Sequence, residues 1–301
     1  MTTATLGFIG LGTMGEPMCR NLATKSGHRT VASDIAPEPL ARLADAGVAD
    51  AGSIAGVAAA ADIVFLSLPG GRQLEAVCRG DGGLLALGRA GQTVVDLGTS
   101  PVPLTRELAA AFGARGVAYA DAPVARTREA AIAGTLSIMV GCPDPVFARV
   151  EPLLRTMASE VSHCGEVGAG QIAKIMNNMV LAQTVVALAE ALGIARAAGM
   201  DAGRLFGTLT KGSADSFALR NHGMKAMLPG VYPERAFSAE YMLKDVAYAL
   251  DLARASGFAA EGAETARRWL ENAIADGDGA KYWPVLAEAM RRRAEAAPAK
   301  G

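Results

Sequence analysis

The chain is predicted to be an α/β protein: a Rossmann-type domain with a parallel sheet, then an all-α domain, joined by a long helix. Three observations predict this. Short apolar runs alternate with helical patterns over the first half, as strands covered on both faces do. The first run leads directly into Gly10-Leu-Gly-Thr-Met-Gly15, a G-x-G-x-x-G turn. Beyond Gly165 the strand pattern stops and helical spacing takes over.

Taken in order, Thr5–Ile9 reads as a short buried strand, Gly10–Gly15 as a turn and Glu16–Ser26 as a helix. Thr30–Ser33 is the second strand, ending at Asp34, and a helical pattern follows through Pro39–Ala46. Ile63–Leu68 is a nearly continuous apolar run closed by Pro69-Gly-Gly71. Further strands are expected at Thr93–Leu97, Ala118–Ala120 and Leu136–Val140, and one long helix over Gln171–Ala198. Breaks at Gly199, Gly212, Pro229–Pro233 and Gly257 divide the helical remainder. The expected domains are therefore residues 1–164, binding a dinucleotide, and 165–301, all helical.

Length and composition narrow the function. At 301 residues the chain exceeds what one hydrophobic core usually spans, which agrees with two domains. Its formal charge of −1 creates no global field to attract nucleic acid or an anionic membrane surface. Four cysteines without C-x-x-C spacing and three scattered histidines give no zinc site and no disulfide framework, so no metal is expected. Reduced thiols and an N-terminus without a basic leader point to a cytoplasmic protein, and no uncharged run of about 20 apolar residues suits a bilayer.

The glycine turn carries the cofactor expectation. Glycines there allow a tight turn and a close approach of backbone to pyrophosphate at a helix N-terminus, where amide hydrogens lack partners. Gly10, Leu11, Gly12, Thr13, Met14 and Gly15 are the candidate cradle. Asp34, at the end of the second strand, can accept hydrogen bonds from ribose hydroxyls and repels a 2′-phosphate, which favours NAD over NADP. Leu68 and Pro69 at the end of the third strand, and Thr99 at the end of the next, should pass beside the cofactor.

The candidate chemistry lies in Gly165-Glu-Val-Gly-Ala-Gly-Gln-Ile-Ala-Lys174-Ile-Met-Asn-Asn178. One helical turn separates an amine from an amide on the same face. Lys174 is the candidate proton-transfer group, its basicity lowered by desolvation or nearby positive charge.

These motifs resemble the β-hydroxyacid dehydrogenase family over residues 6 to about 255. Gly7 to Met18 resembles the family's N-terminal signature. Asp121-Ala-Pro-Val124 with Gly134-Thr-Leu136 resembles its substrate segment, Gly168 to Asn178 its catalytic segment, and Phe237 through Lys244-Asp245 its cofactor- and substrate-facing motif. The resemblance implies reversible hydride transfer between nicotinamide and a hydroxyl-bearing carbon of a small anionic substrate. It also implies Lys174 as general acid/base, Asn178 as substrate ligand and Lys244 beside the cofactor.

Two positions depart from the family. Ala125-Arg126-Thr127 replaces the usual Ser-Gly-Gly that binds the substrate carboxylate, and Gly98 replaces a common serine. Ala125, Arg126 and Thr127 remain the candidate anion-binding loop, and a guanidinium suits an oxyanion with several oxygens. A similar arginine marks the sulfolactaldehyde reductase branch, so a sulfonate stands as the alternative to a 3-hydroxyisobutyrate-like carboxylate. Imine reductases share the architecture but typically lack the lysine. A non-catalytic nucleotide-binding module would tend to lose it too, and 6-phosphogluconate-type enzymes carry a larger helical domain. Val180, Leu181, Val185, Val186, Leu188 and Leu192 on the long helix lead to an expected homodimer or homotetramer.

Overall fold

The computed structural model describes residues 4–234 and 236–296. The chain forms two compact units, Met1–Lys174 and Ile175–Gly301. The division lies inside a helix rather than at the expected Gly165, because the first turn of that helix is packed into the sheet unit.

The first unit is built on β1 (Thr5–Ile9), α1 (Gly15–Lys25), β2 (Arg29–Ser33), α2 (Pro37–Leu43), β3 (Ala49–Asp50), α3 (Ile54–Ala60) and β4 (Ile63–Leu66). It continues with α4 (Gly71–Arg79), α5 (Leu84–Leu87), β5 (Thr93–Asp96), α6 (Val102–Gly113) and β6 (Ala118–Asp121). Then come β7 (Val124–Ala125), α7 (Arg128–Ala133), β8 (Leu136–Gly141), α8 (Asp144–Leu154) and β9 (Ala158–Gly165). Strand order is β3-β2-β1-β4-β5-β6-β8-β7, with β9 on β8. The β3-to-β6 run is parallel throughout, and β8 enters antiparallel to β6 and β7.

Alternation along each strand sends neighbours to opposite faces. Phe8, Phe65 and Val95 join one core with Met18 and Leu22 of α1. Ile9, Val64, Leu66 and Val94 join another with Leu74, Leu108 and Phe112. Phe8 and Phe65, opposite one another in register, stack at 6.2 Å between centroids. Three strands were not anticipated. β3 and β7 are only two residues long, and β9 is a polar edge strand, mostly exposed and parallel to β8 across two bulges. A strand with one neighbour and one wet face carries no apolar run to reveal it.

The second unit contains most of α9 (Ala169–Ala197), then α10 (Ala202–Leu209), α11 (Ala239–Ala255), α12 (Glu261–Ala273) and α13 (Leu286–Ala296). Leu219–Met227 and Ile274–Asp278 are π-helical. Two isolated bridges, Glu234 to Lys281 and Ser238 to Tyr282, interrupt the helical pattern. By length and composition α9 could cross a membrane, but its apolar stripe is core material. Val185, Val186, Leu188 and Leu192 are buried in the unit's own cluster with Phe206, Val246, Leu270 and Trp283. Of the residues expected to drive dimerisation, Leu181 is half-buried and Val180 is 58% exposed.

Candidate active site

The glycine turn sits between β1 and α1, at the point where strand order reverses from β1-β2 to β1-β4 and ligands bind in such sheets. Gly10 has φ +91°, and a Cβ there would lie 2.3 Å from the Ser67 carbonyl oxygen. A Cβ on Gly15 would lie 2.0 Å from the Gly10 oxygen, so both positions exclude side chains. Gly12 is different: no protein atom lies within 4 Å of its would-be Cβ. Leu11 is buried, Thr13 is exposed and Met14 is the N-cap of α1, with no side chain capping the helix. Open space before an uncapped helix N-terminus suits a pyrophosphate, so these residues fit a dinucleotide. Asp34 closes the cradle: one carboxylate oxygen accepts from the Leu11 amide, and the other accepts from Ala36 N at 2.8 Å.

The ends of β4 and β5 adjoin this turn. Leu68 approaches both Gly10 and Gly98, and Pro69 is exposed beside them. A Cβ on Gly98 would stand 2.9 Å from the Leu68 carbonyl oxygen and 3.1 Å from Asp96 Oδ1, so a side chain there would require the neighbouring strand ends to shift. Thr99 is buried.

Beyond Thr99 a buried polar network joins β5, β6 and the start of α9. Asp96 accepts from Gly98 N at 2.9 Å and from the Ser100 hydroxyl at 3.3 Å. Asp121, in register with Asp96 on the neighbouring strand, accepts from Gly168 N at 2.7 Å and Gln171 N at 2.8 Å. The Gln171 side chain accepts from Ser100 N at 3.0 Å and donates to the Gly98 oxygen at 2.9 Å. Both carboxylates are fully buried. Burial pushes the Asp121 carboxyl up to about 6, against the lowering effect of the amides it accepts from. Lys174 follows Gln171 by three residues on α9 and is only 9% exposed.

Asp96, Asp121 and Gln171 had no individual role in the sequence reading. The available signal was an aspartate ending two apolar strands, Val94-Val-Asp96 and Tyr119-Ala-Asp121. The hydrogen bonds that tie the two strand ends to the start of α9 span 47 to 75 residues along the chain.

The substituted loop takes an unexpected course. Arg126 holds φ +86°, the one non-glycine at positive φ among the described residues. It stands where the family's glycine would adopt that conformation freely. Its Nη1 donates to the Thr135 carbonyl at 2.5 Å and the Ser159 hydroxyl at 2.7 Å, bridging from β7 to the β8–β9 edge. Among the described residues these are its partners, and neither belongs to the expected site. Ala125 ends β7, and the Thr127 hydroxyl caps α7 by accepting from Ala130 N at 3.4 Å.

Within the helical unit, Asn178 is buried and donates from Nδ2 to Asp245 at 2.6 Å, while its Oδ1 accepts from Asn177 at 3.0 Å. Lys244 pairs with the other Asp245 oxygen at 2.9 Å and lies over the rings of Tyr241 and Tyr248 at 4.5 and 4.9 Å. The Lys244–Asp245 pair is therefore an organised cluster bonded to Asn178 rather than loose surface charge. His222, in the π-helical segment, shares a 2.6 Å hydrogen bond with the Tyr282 hydroxyl and packs on Trp283. Burial pulls its imidazole down to about 4.

Known proteins resemble the chain over both of its units. Residues 5–165 match the family model of the NAD-binding domain of 6-phosphogluconate dehydrogenase. Residues 168–282 match that described as the NAD-binding domain of NADP-dependent 3-hydroxyisobutyrate dehydrogenase. The chain is 36% identical over 258 residues to 3-hydroxyisobutyrate dehydrogenase of Pseudomonas aeruginosa, covering 83% of this chain and 85% of that protein.

The chain belongs to the β-hydroxyacid dehydrogenase family.

It is also 35% identical to 2-(hydroxymethyl)glutarate dehydrogenase of Eubacterium barkeri, over 82% of this chain and 81% of that one. The structure of Mycobacterium tuberculosis 3-hydroxyisobutyrate dehydrogenase with L-serine superposes with a TM-score of 0.87 at 33% identity, covering 96% of this chain and 100% of that chain. As a β-hydroxyacid dehydrogenase the chain is a nicotinamide-dependent oxidoreductase acting on hydroxy acids.

Proposed function

We propose that this β-hydroxyacid dehydrogenase uses NAD to oxidise a small 3-hydroxyisobutyrate-like acid, reversibly, with Lys174 as the proton-transfer group. The observation that carries the reading is the burial of a lysine in the second turn of α9, directly after a hydrogen-bonded first turn that fixes its place. When bound, the nicotinamide accepts or supplies the hydride. In the oxidative direction the neutral Lys174 amine takes the proton from the substrate hydroxyl; in reduction its ammonium returns a proton to the carbonyl oxygen. Asn178, with its amide orientation constrained by Asp245 and Asn177, donates to the substrate. Gly10 to Gly15, Leu68, Pro69 and Thr99 of the sheet unit would hold the dinucleotide, and Asp34 favours NAD because its carboxylate opposes a 2′-phosphate.

A second reading follows from Arg126. A non-glycine held at positive φ is strained by about 1 kcal/mol or more, a cost that a functional guanidinium would explain. Nη2 and Nε have no partner among the described residues, which leaves donors for a sulfonate.

The test is nucleotide reduction at alkaline pH with NAD and NADP, comparing 3-hydroxyisobutyrate with 2,3-dihydroxypropane-1-sulfonate. Lys174→Ala should lower kcat by about 10²- to 10⁴-fold, and undiminished turnover would refute the proposed role. A preference for the sulfonate that disappears in Arg126→Gly would establish the second reading. A carboxylate preference that survives this change would dismiss it.

A further inference from the structure

We propose that Asp121 is a positioning residue for the proton-transfer step, its ionised carboxylate clamping the first turn of α9 and setting the charge that Lys174 experiences. The proposal rests on Lys174 as the group that moves the proton.

The geometry is specific. The two Asp121 oxygens accept from Gly168 and Gln171, amides that flank the beginning of α9. No other side chain could be fitted easily around the clamp. A Cβ on Gly141 would stand 2.6 Å from Asp121 Oδ1, and one on Gly170 would stand 2.4 Å from the Met139 carbonyl oxygen. The Gln171 side chain then ties the same turn to Gly98 and Ser100, on either side of Thr99. Asp121 thus couples the helix carrying Lys174 to the loop expected beside the cofactor.

The electrostatics follow from the same contacts. A helix N-terminus carries partial positive charge, which disfavours a protonated amine nearby. A carboxylate placed on that terminus offsets the field and favours the ammonium. The groups that face Asp121 are Asp96 on β5, Tyr119 on its own strand, and Cys142 and Cys164 at the ends of β8 and β9; Glu166 acts on Cys142, and Lys174 lies three residues beyond the clamped Gln171 on α9. Burial brings the Asp121 carboxyl to about 6, within reach of mild acid. Protonation turns one accepting oxygen into a hydroxyl facing an amide N–H and loosens one arm of the clamp.

The experiment follows kcat and KM against pH for wild type, Asp121→Asn and Lys174→Ala, and the Gly168 and Gln171 amide resonances by NMR. In Asp121→Asn, kcat should fall by about 10- to 100-fold with KM changed less than about threefold. The pH limb assigned to Lys174 should move down by about half a unit or more, since a neighbouring negative charge is lost. In wild type both amides should titrate with a shared midpoint near that of the Asp121 carboxyl. A folded Asp121→Asn with an unmoved limb, or amides that do not titrate, would overturn the proposal. If Asp121→Asn does not fold, the wild-type amide titration decides alone. Full activity in Lys174→Ala would instead remove the proton-transfer reading while leaving the amide titration to report on the clamp.

Discussion

Two glycine-led helix starts in this chain look alike in sequence and are finished in opposite ways. At Gly10–Gly15 the helix end is left open: Gly12 faces empty space and no side chain caps α1. At Gly165–Gly170 the helix end is filled by the protein itself, with Asp121 accepting the amides that begin α9. Both face the demand that helix-terminal N–H groups find acceptors. The first leaves that demand open, whereas the second meets it internally and so fixes the turn that leads to Lys174. Glycine at the first site makes room for a ligand; glycine at the second makes room for the protein's own backbone.

The sharpest way to break this contrast is to add one methyl group to each start. Gly170→Ala places its Cβ 2.4 Å from the Met139 oxygen and 2.9 Å from Asp121 oxygens, all inside a packed seam. It should lower unfolding free energy by about 2–3 kcal/mol, read from denaturant midpoints; an unchanged midpoint would mean the seam yields easily.

Next comes a difference in pH dependence between the units. In the folded sheet unit Asp121 ionises near 6 rather than near 3.8, so the folded state holds the extra proton between these values. Its contribution to stability therefore falls as pH rises through that window. His222 in the helical unit ionises near 4 rather than 6.5, so the unfolded state holds the extra proton, and stability falls as pH drops from 6.5 towards 4. Each slope is at most about 1.4 kcal/mol per pH unit, and they oppose each other where they overlap. Asp121→Asn should steepen the acid-side loss in a melting series from pH 4 to 7, and His222→Phe should flatten it. Identical curves for both variants and wild type would refute the assignment.

The smallest effect is expected at Gly12. Gly12→Ala meets no protein atom, so melting should be unchanged, while dinucleotide affinity should weaken about tenfold, or about 1.4 kcal/mol. Loss of stability without loss of affinity would place the open space elsewhere.

What was legible in the sequence was local. The glycine turn, Asp34 at its strand end and the strands of the β1-to-β6 run could be read because apolar runs and turn residues report on their own neighbourhood. The helix carrying Lys174 was legible for the same reason, with bounds two residues off at its start. The edge strand β9 was not, being polar and supported by a single neighbour. Nor was the course of Arg126: the substitution was visible, but its partners Thr135 and Ser159 are brought near only by strand pairing. Most of the apolar surplus on α9 suggested a subunit interface, yet the unit's own helices bury it.

By itself, the sequence determined the fold class, the glycine turn and the residue types available for chemistry, because periodicity and glycine spacing act over a few residues. Only the tertiary structure decided which helix end stays open and which is capped from within. That choice depends on register between β5 and β6 and on contacts spanning 47 to 75 residues, which no local pattern encodes.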